Sequence, residues 1–170
     1  MAVNIPGLSI RFAQEDDCGL ILRFIQELAV CEKMADQVTA TETGLHYALF
    51  HQKQAEVLIG EYQGEPVAFA LFFHNFSTFL GKSGLYLEDL FVEELYRGRG
   101  IGKAMFRELA RVAMRRGCER LEWWCLDWNE HSIRFYQQLG AHAMEDWTVY
   151  RLDQQAIKVL ASCETLSQER

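Results

Sequence analysis

The sequence predicts an α/β fold, and three observations carry that reading. Strand-like apolar runs alternate with amphipathic helical runs through the second half of the chain. Two runs around Gln63-Gly64-Glu65 read as a hairpin. Three glycines, Gly98, Gly100 and Gly102, stand between a strand-like run and a helix-like run. The 170 residues are expected to form one domain, 1–170, large enough for a packed core.

In chain order, Leu8 to Phe12 alternates and reads as a strand. Gln14-Glu15-Asp16-Asp17 is an acidic helix start. Leu20, Ile21, Phe24, Ile25 and Leu28 then recur at helical spacing to about Glu32. Thr41-Glu42-Thr43 opens a shorter helix with Leu45, Ala48 and Leu49 inward. Ala55 to Tyr62 and Pro66 to Phe73 are the hairpin strands, Phe76 to Ser83 a loop, and Gly84 to Val92 a long strand. Ile101 to Arg116 is a helix closed at Gly117. Arg120 to Asp127 reads as a strand, Glu130 to Leu139 as a helix stopped at Gly140, Trp147 to Leu152 as a strand and Asp153 to Leu160 as a terminal helix.

Composition narrows the function classes. A net charge of −7, from 24 acidic and 17 basic residues, argues against nucleic acid as partner and favours a cationic substrate. No apolar run is long enough to span a bilayer, and Met1 to Ile10 lacks a signal-peptide pattern. Cys18, Cys31, Cys118, Cys125 and Cys163 are odd in number and form no C-x-x-C pair. They read as free thiols in a reducing cytoplasm, and no metal site is expected. His46, His51, His74, His131 and His142 show no ligand spacing. Lys103, Arg107, Arg111 and Arg115 fall four apart and read as a solvated helix face.

The glycine loop, Arg97-Gly98-Arg99-Gly100-Ile101-Gly102-Lys103, is the most specific feature. Glycines let the backbone approach a ligand, and N–H groups opening a helix sit at the positive end of its dipole. A phosphate-bearing ligand is implied. A Walker A loop is excluded, since three residues separate Gly98 from Gly102 and Ala104 follows Lys103 where a hydroxyl is required. The G-x-G-x-G spacing past mid-chain also departs from a dinucleotide fingerprint.

Other residues invite chemistry. Glu88 and Asp89 are adjacent carboxylates inside an apolar strand. Alternation would let at most one face a given cleft, and each is costly to bury unpaired. A carboxylate there suits the deprotonation or binding of an amine. Asn129 suits a helix cap and Gly140 a terminator. Tyr136 is either a core residue or a proton donor, since a phenol has an ordinary pKa of about 10.

Arg97-x-x-Gly100-x-Gly102 resembles the acyl-CoA pyrophosphate loop of the GNAT superfamily of N-acetyltransferases, and Asn129, Tyr136 and Gly140 follow in that family's order. Several segments look like the diamine (spermidine/spermine) acetyltransferases. They are Leu-Tyr-Leu-Glu-Asp at 85–89, Tyr-Arg-Gly-x-Gly-Ile-Gly at 96–102, Val-Ala-Met-Arg at 112–115 and Trp-Asn-Glu-x-Ser-Ile-x-Phe-Tyr at 128–136. The resemblance covers nearly the whole chain. It implies a GNAT fold, with a mixed central sheet of six to seven strands flanked by about four helices. It implies direct transfer from acetyl-CoA to a small primary amine, by a homodimer. Tyr136 would protonate the leaving thiolate and Glu88 would be the base, directly or through water. Leu90, Phe91 and Val92 would lie along the pantetheine arm. Arg97, Gly98, Arg99, Gly100, Ile101, Gly102 and Lys103 would hold CoA phosphates, with Asn129 and Phe135 nearby. Glu32, Asp36, Glu88 and Asp89 would meet the cationic acceptor. Cys31, where polyamine enzymes tend to carry an aromatic residue, and Lys33 beside Glu32 depart from the polyamine pattern; the family also includes enzymes that prefer thialysine and related amines, so the resemblance implies a small amine more than spermidine. Rival readings are a protein N-terminal acetyltransferase and a CoA-binding sensor.

Overall fold

The computed structural model describes residues 5–162. The chain divides into two compact units, Met1–Trp128 and Asn129–Arg170, each described by itself.

The first unit is built on a five-stranded sheet in the order β1-β2-β3-β4-β5. Its strands are β1 (Leu8–Phe12), β2 (Glu56–Tyr62), β3 (Glu65–Ser77), β4 (Lys82–Val92) and β5 (Leu121–Glu122). The first four pair antiparallel and β5 joins β4 in parallel. Helices α1 (Cys18–Cys31), α2 (Glu42–His46) and α3 (Ile101–Arg115) complete the unit, and a five-residue π turn, Tyr47–His51, extends α2.

The central strands are apolar on both sides because both faces of the sheet are covered. On one face Val57, Ile59, Phe69 and Phe91 form a core with Ile21 and Phe24 of α1 and Leu49. The Phe24 ring stacks on Phe69 at 5.4 Å and meets Phe91 at 5.9 Å. Leu58, Ala68, Ala70 and Phe72 occupy the alternate positions of β2 and β3 and are also buried. Helix α3 buries Ile101, Met105, Phe106, Leu109, Val112 and Ala113. Its approach is close at Gly60, where a Cβ would lie 3.0 Å from Met105 Sδ and 3.2 Å from Ala68 Cβ. Gly60→Val is therefore expected to destabilise the protein by about 2 kcal/mol through overpacking. Urea unfolding reads this as a lowered midpoint with unchanged slope; an unchanged midpoint would refute the tight helix–sheet contact.

Three sequence expectations are corrected. The segment Phe76 to Ser83 is not a loop throughout: β3 runs to Ser77 and β4 starts at Lys82, with Phe76 paired to Ser83 and Ser77 to Lys82. Alternation in fact continues there, with Phe76 exposed and Ser77 buried. The strand expected over Arg120 to Asp127 is only Leu121–Glu122, since pairing with β4 covers just two residues. The expected strand Trp147 to Leu152 is irregular. A strand exists only by pairing, and the second unit offers no other strand among its described residues. The sheet thus has five strands among the described residues, against the six to seven expected.

The second unit holds α4 (Glu130–Gln138) and α5 (Gln154–Ser162). Asn129 caps α4, its side chain accepting from the Ser132 N–H at 3.2 Å. Gly140 (φ 87°) ends the turn, with the Ala141 N–H donating to Tyr136 O at 3.1 Å. Asp153 starts α5 by accepting from the Ala156 N–H at 2.8 Å. Among the described residues no helix is long and apolar enough to cross a membrane.

Candidate active site

Strand β4 carries most of the first unit's candidate residues, and one irregularity arranges them. Leu71 faces Asp89 in the β3–β4 ladder, but Phe72 faces Leu87. Glu88 is the extra residue of a β-bulge. A bulge shifts the side-chain phase by one and bends its strand. Before it, Leu85 and Leu87 are buried while Tyr86 lies against Phe73 at 5.0 Å. After it, Asp89 falls in phase with Phe91, on the face that packs against α1. Glu88, the bulged residue, is exposed while Asp89 is largely withdrawn from water, and the Glu88 charge acts on Asp89.

The electrostatics follow from this placement. Asp89 is largely withdrawn from water, and its pKa rises from 3.8 to about 6, first through burial and then through the charges of Glu88 and Glu32. Glu32, the residue that ends α1, is half-buried, and burial pushes its carboxyl upward. Burial also raises the Cys125 thiol, with help from Glu32 and Asp127. Glu88 itself is exposed. The structure thus brings Glu32, Glu88 and Asp89 into one electrostatic group. Asp36 stands exposed in the short 3-10 turn Ala35–Gln37 and is not among the charges acting on Asp89.

Beyond the bulge, Leu90, Phe91 and Val92 pair with β3 on one side. On the other, pairing with β5 ends at Tyr86, two residues before the bulge. Among the described residues no strand pairs with this part of β4 on the β5 side, so that edge has backbone groups suited to an extended ligand.

The glycine loop follows the turn Glu94–Tyr96. Gly98 (φ 74°) and Gly100 (φ 84°) are both left-handed, which glycine alone adopts without strain. Gly100 is the N-cap of α3 and no side chain caps that end; the helix ladder begins with the Ala104 N–H on Gly100 O at 3.0 Å. Uncapped N–H groups at a long helix's N-terminus suit a phosphate. Ile101 is buried in the core, so it anchors the loop through packing. Gly102 is the second residue of α3, and Lys103, in its first turn, is exposed. Arg97 is turned back onto the protein: Nε donates to Val92 O at 2.8 Å, Nη2 reaches Cys31 Sγ at 3.5 Å, and the guanidinium lies 5.5 Å from the Phe91 ring. It ties the end of β4 to the end of α1. Arg99 rests 5.3 Å from the Tyr96 ring and 5.9 Å from that of Tyr62.

The turn after Glu32 is a feature the sequence did not reveal. Lys33 is left-handed (φ 60°), where glycine is usual at a helix end. The Met34 N–H donates to Ala29 O at 2.8 Å around it. A residue with a Cβ costs roughly 1 kcal/mol there. The Lys33 ammonium lies 5.1 Å from the Trp128 ring centroid.

In the second unit, Tyr136 is half-buried on α4 with its ring 5.4 Å from that of Phe135. His131 is exposed in the first turn of α4. Cys18, Cys31, Cys118 and Cys125 are free, and Cys163 lies outside the described residues.

A bulged β4 whose pairing with β5 stops short, followed by a glycine loop opening α3, could hold an extended ligand that ends in phosphates. The Acetyltransferase (GNAT) family matches residues 22–141, and the chain belongs to that family. It is an N-acetyltransferase by that membership and by its relatives. It is 40% identical to a thialysine N-epsilon-acetyltransferase of Bos taurus over 164 residues, 89% of this chain and 96% of the relative. It is 29% identical to an L-ornithine N5-acetyltransferase of Arabidopsis thaliana, covering 89% of this chain and 86% of that one. Among solved structures, an integron cassette protein from V. cholerae superposes with a TM-score of 0.76 at 25% identity, covering 92% of this chain and 98% of the other.

Proposed function

We propose that the protein transfers an acetyl group from acetyl-CoA directly to a small, cationic primary amine of the diamine, polyamine or thialysine kind. The observation that carries this reading is the bulge of β4. It sets Glu88 and Asp89 just past the end of the β4–β5 pairing, and the Glu32 charge also acts on Asp89. An amine acceptor is protonated at neutral pH, with an ordinary pKa near 10 for an alkylamine. Carboxylates attract it, and one of them must take its proton before it attacks.

In this reading Glu88, exposed on the bulge, accepts the proton through water. Asp89 and Glu32 hold the ammonium form, with Asp36 further out. Backbone along Leu90 to Val92 aligns the acyl donor and polarises its carbonyl. The N–H groups from Gly98 to Lys103, with Arg99, meet its phosphates. Arg97 contributes by fixing where β4 ends, and Asn129 and Phe135 by setting the start and packing of α4. Tyr136 returns a proton to the departing thiolate. In this reading no metal takes part. The identity of the relatives supports an amine carried on an amino acid as much as a polyamine. A homodimer in the cytoplasm belongs to the same reading, with neither nucleic acid nor membrane as a partner.

The experiment is release of free thiol from acetyl-CoA in the presence of diamines, polyamines, thialysine, ornithine, lysine and short peptides. Release with one or more of the small amines, matched by N-acetyl product, is expected. Release with peptides alone would assign a protein acetyltransferase instead.

A further inference from the structure

We infer that Trp124, set against Tyr86, forms an aromatic wall along which the carbon chain of the acceptor lies, and that this wall decides how long a chain the enzyme favours. The inference deepens the amine-acceptor reading and rests on it. Register places the wall. Phe73 faces Tyr86, and Leu71 faces Asp89, across the β3–β4 ladder. Facing residues share one side of a sheet, as do residues two apart on a strand. Tyr86 and Asp89 are therefore neighbours on the same face, although three apart in sequence, because the bulge takes up Glu88. On its other edge Tyr86 pairs with Glu122 of β5, and its ring meets that of Trp124 edge-on, with centroids 6.0 Å apart at 86°. Trp123, the residue before, packs instead on Phe106 of α3 at 4.9 Å.

Trp124 is 57% exposed, and Phe73 and Tyr86 are half-buried. The three rings thus offer a run of aromatic surface beside Asp89, a carboxylate largely withdrawn from water. An apolar wall that ends at a negative charge matches an alkylamine, whose methylenes are apolar and whose end is cationic. Methylenes laid against the rings leave water, and each adds to affinity until the wall ends. The two substrates then divide β4 between them. Backbone from Leu90 to Val92, past the bulge, is left to the acyl donor; Tyr86, before the bulge, takes the acceptor chain. Glu88 and Asp89 stand between the two stretches.

The test measures kcat/KM along two series of acceptors, α,ω-diamines of three to six carbons and L-diamino acids with one to four side-chain methylenes. In whichever series the wild type accepts, each added methylene is expected to raise kcat/KM about two- to threefold, mainly through KM. Trp124→Ala should flatten that slope and raise KM for the longest accepted amine about tenfold, with KM for acetyl-CoA unchanged. Trp124→Phe keeps an aromatic face and should restore most of the slope. Because Trp124 is exposed, its truncation spares the packed core, and thermal unfolding checks that the variants stay folded. A wild type indifferent to chain length, a Trp124→Ala variant with the wild-type slope, or one that raises KM for acetyl-CoA as much as for the amine would overturn the proposal while leaving the amine-acceptor reading intact. Acetylation of no amine in either series would overturn both.

Discussion

Tyr136→Phe is expected to lower turnover at saturating amine by about 100-fold, with little change in KM for acetyl-CoA. The figure sits at the low end of what a general acid contributes, because a thiolate with an ordinary pKa near 8.5 is already a tolerable leaving group. The loss should be in kcat and kcat/KM together, as for an interaction made only in the transition state. The substitution keeps the ring, which lies 5.4 Å from that of Phe135 on α4, so packing is largely preserved. Steady-state kinetics with an accepted amine decide it; unchanged turnover would remove Tyr136 as the acid.

The second large effect concerns the bulge. Glu88→Gln is expected to lower kcat by about 100-fold, the loss of a base. It should also move the acidic limb of the kcat/KM profile to lower pH, because the Glu88 charge helps hold Asp89 near 6. Asp89→Asn should instead raise KM for the amine and abolish that limb. The signs follow from the protonation states. Asp89 is charged above about pH 6 and attracts the ammonium; below, it is neutral and the attraction is lost. Its folded pKa is raised, so the folded state binds its proton more tightly than the unfolded state. Stability from this group is full below pH 3.8 and is lost as pH rises through about 6. Asp89→Asn should therefore be more stable than wild type at pH 7.5, by about 3 kcal/mol, and similar to it near pH 4. A variant equally or less stable at pH 7.5 would mean that Asp89 is not held at that cost.

Much of this was legible in the residues, for identifiable reasons. Gly98 and Gly100 are left-handed in the structure, and closely spaced glycines before a helix announced a loop that other residues form only at a cost. Asn129 and Gly140 carry the local chemistry of a cap and a stop, so the limits of α4 could be read directly. The bulge could not. Strand β4 is apolar on both faces, with Leu85, Leu87 and Phe91 all buried, so it has no alternation against which a one-residue slip would show. Leu121–Glu122 and Trp147 to Leu152 fail differently. Their side chains favour strands, but pairing depends on a neighbouring edge, and composition does not report where that edge ends. Arg97 was expected at phosphates because of its place in the motif. Its bond to Val92 O is local, but its reach to Cys31 Sγ crosses 66 residues of sequence and gives Cys31 a role that its neighbours in sequence did not suggest.

The central claim is that the acetyl group passes directly to a small amine, with no acetylated enzyme between. Rapid-quench measurement of free thiol, with enzyme and acetyl-CoA mixed first without and then with thialysine or ornithine, tests it most directly. No thiol should appear before the amine is added; afterwards it should appear in equal amount with N-acetyl product. A burst of one thiol per active site without amine would establish an acetyl-enzyme, and no thiol with any amine would leave a CoA-binding protein without transfer; either result contradicts the account.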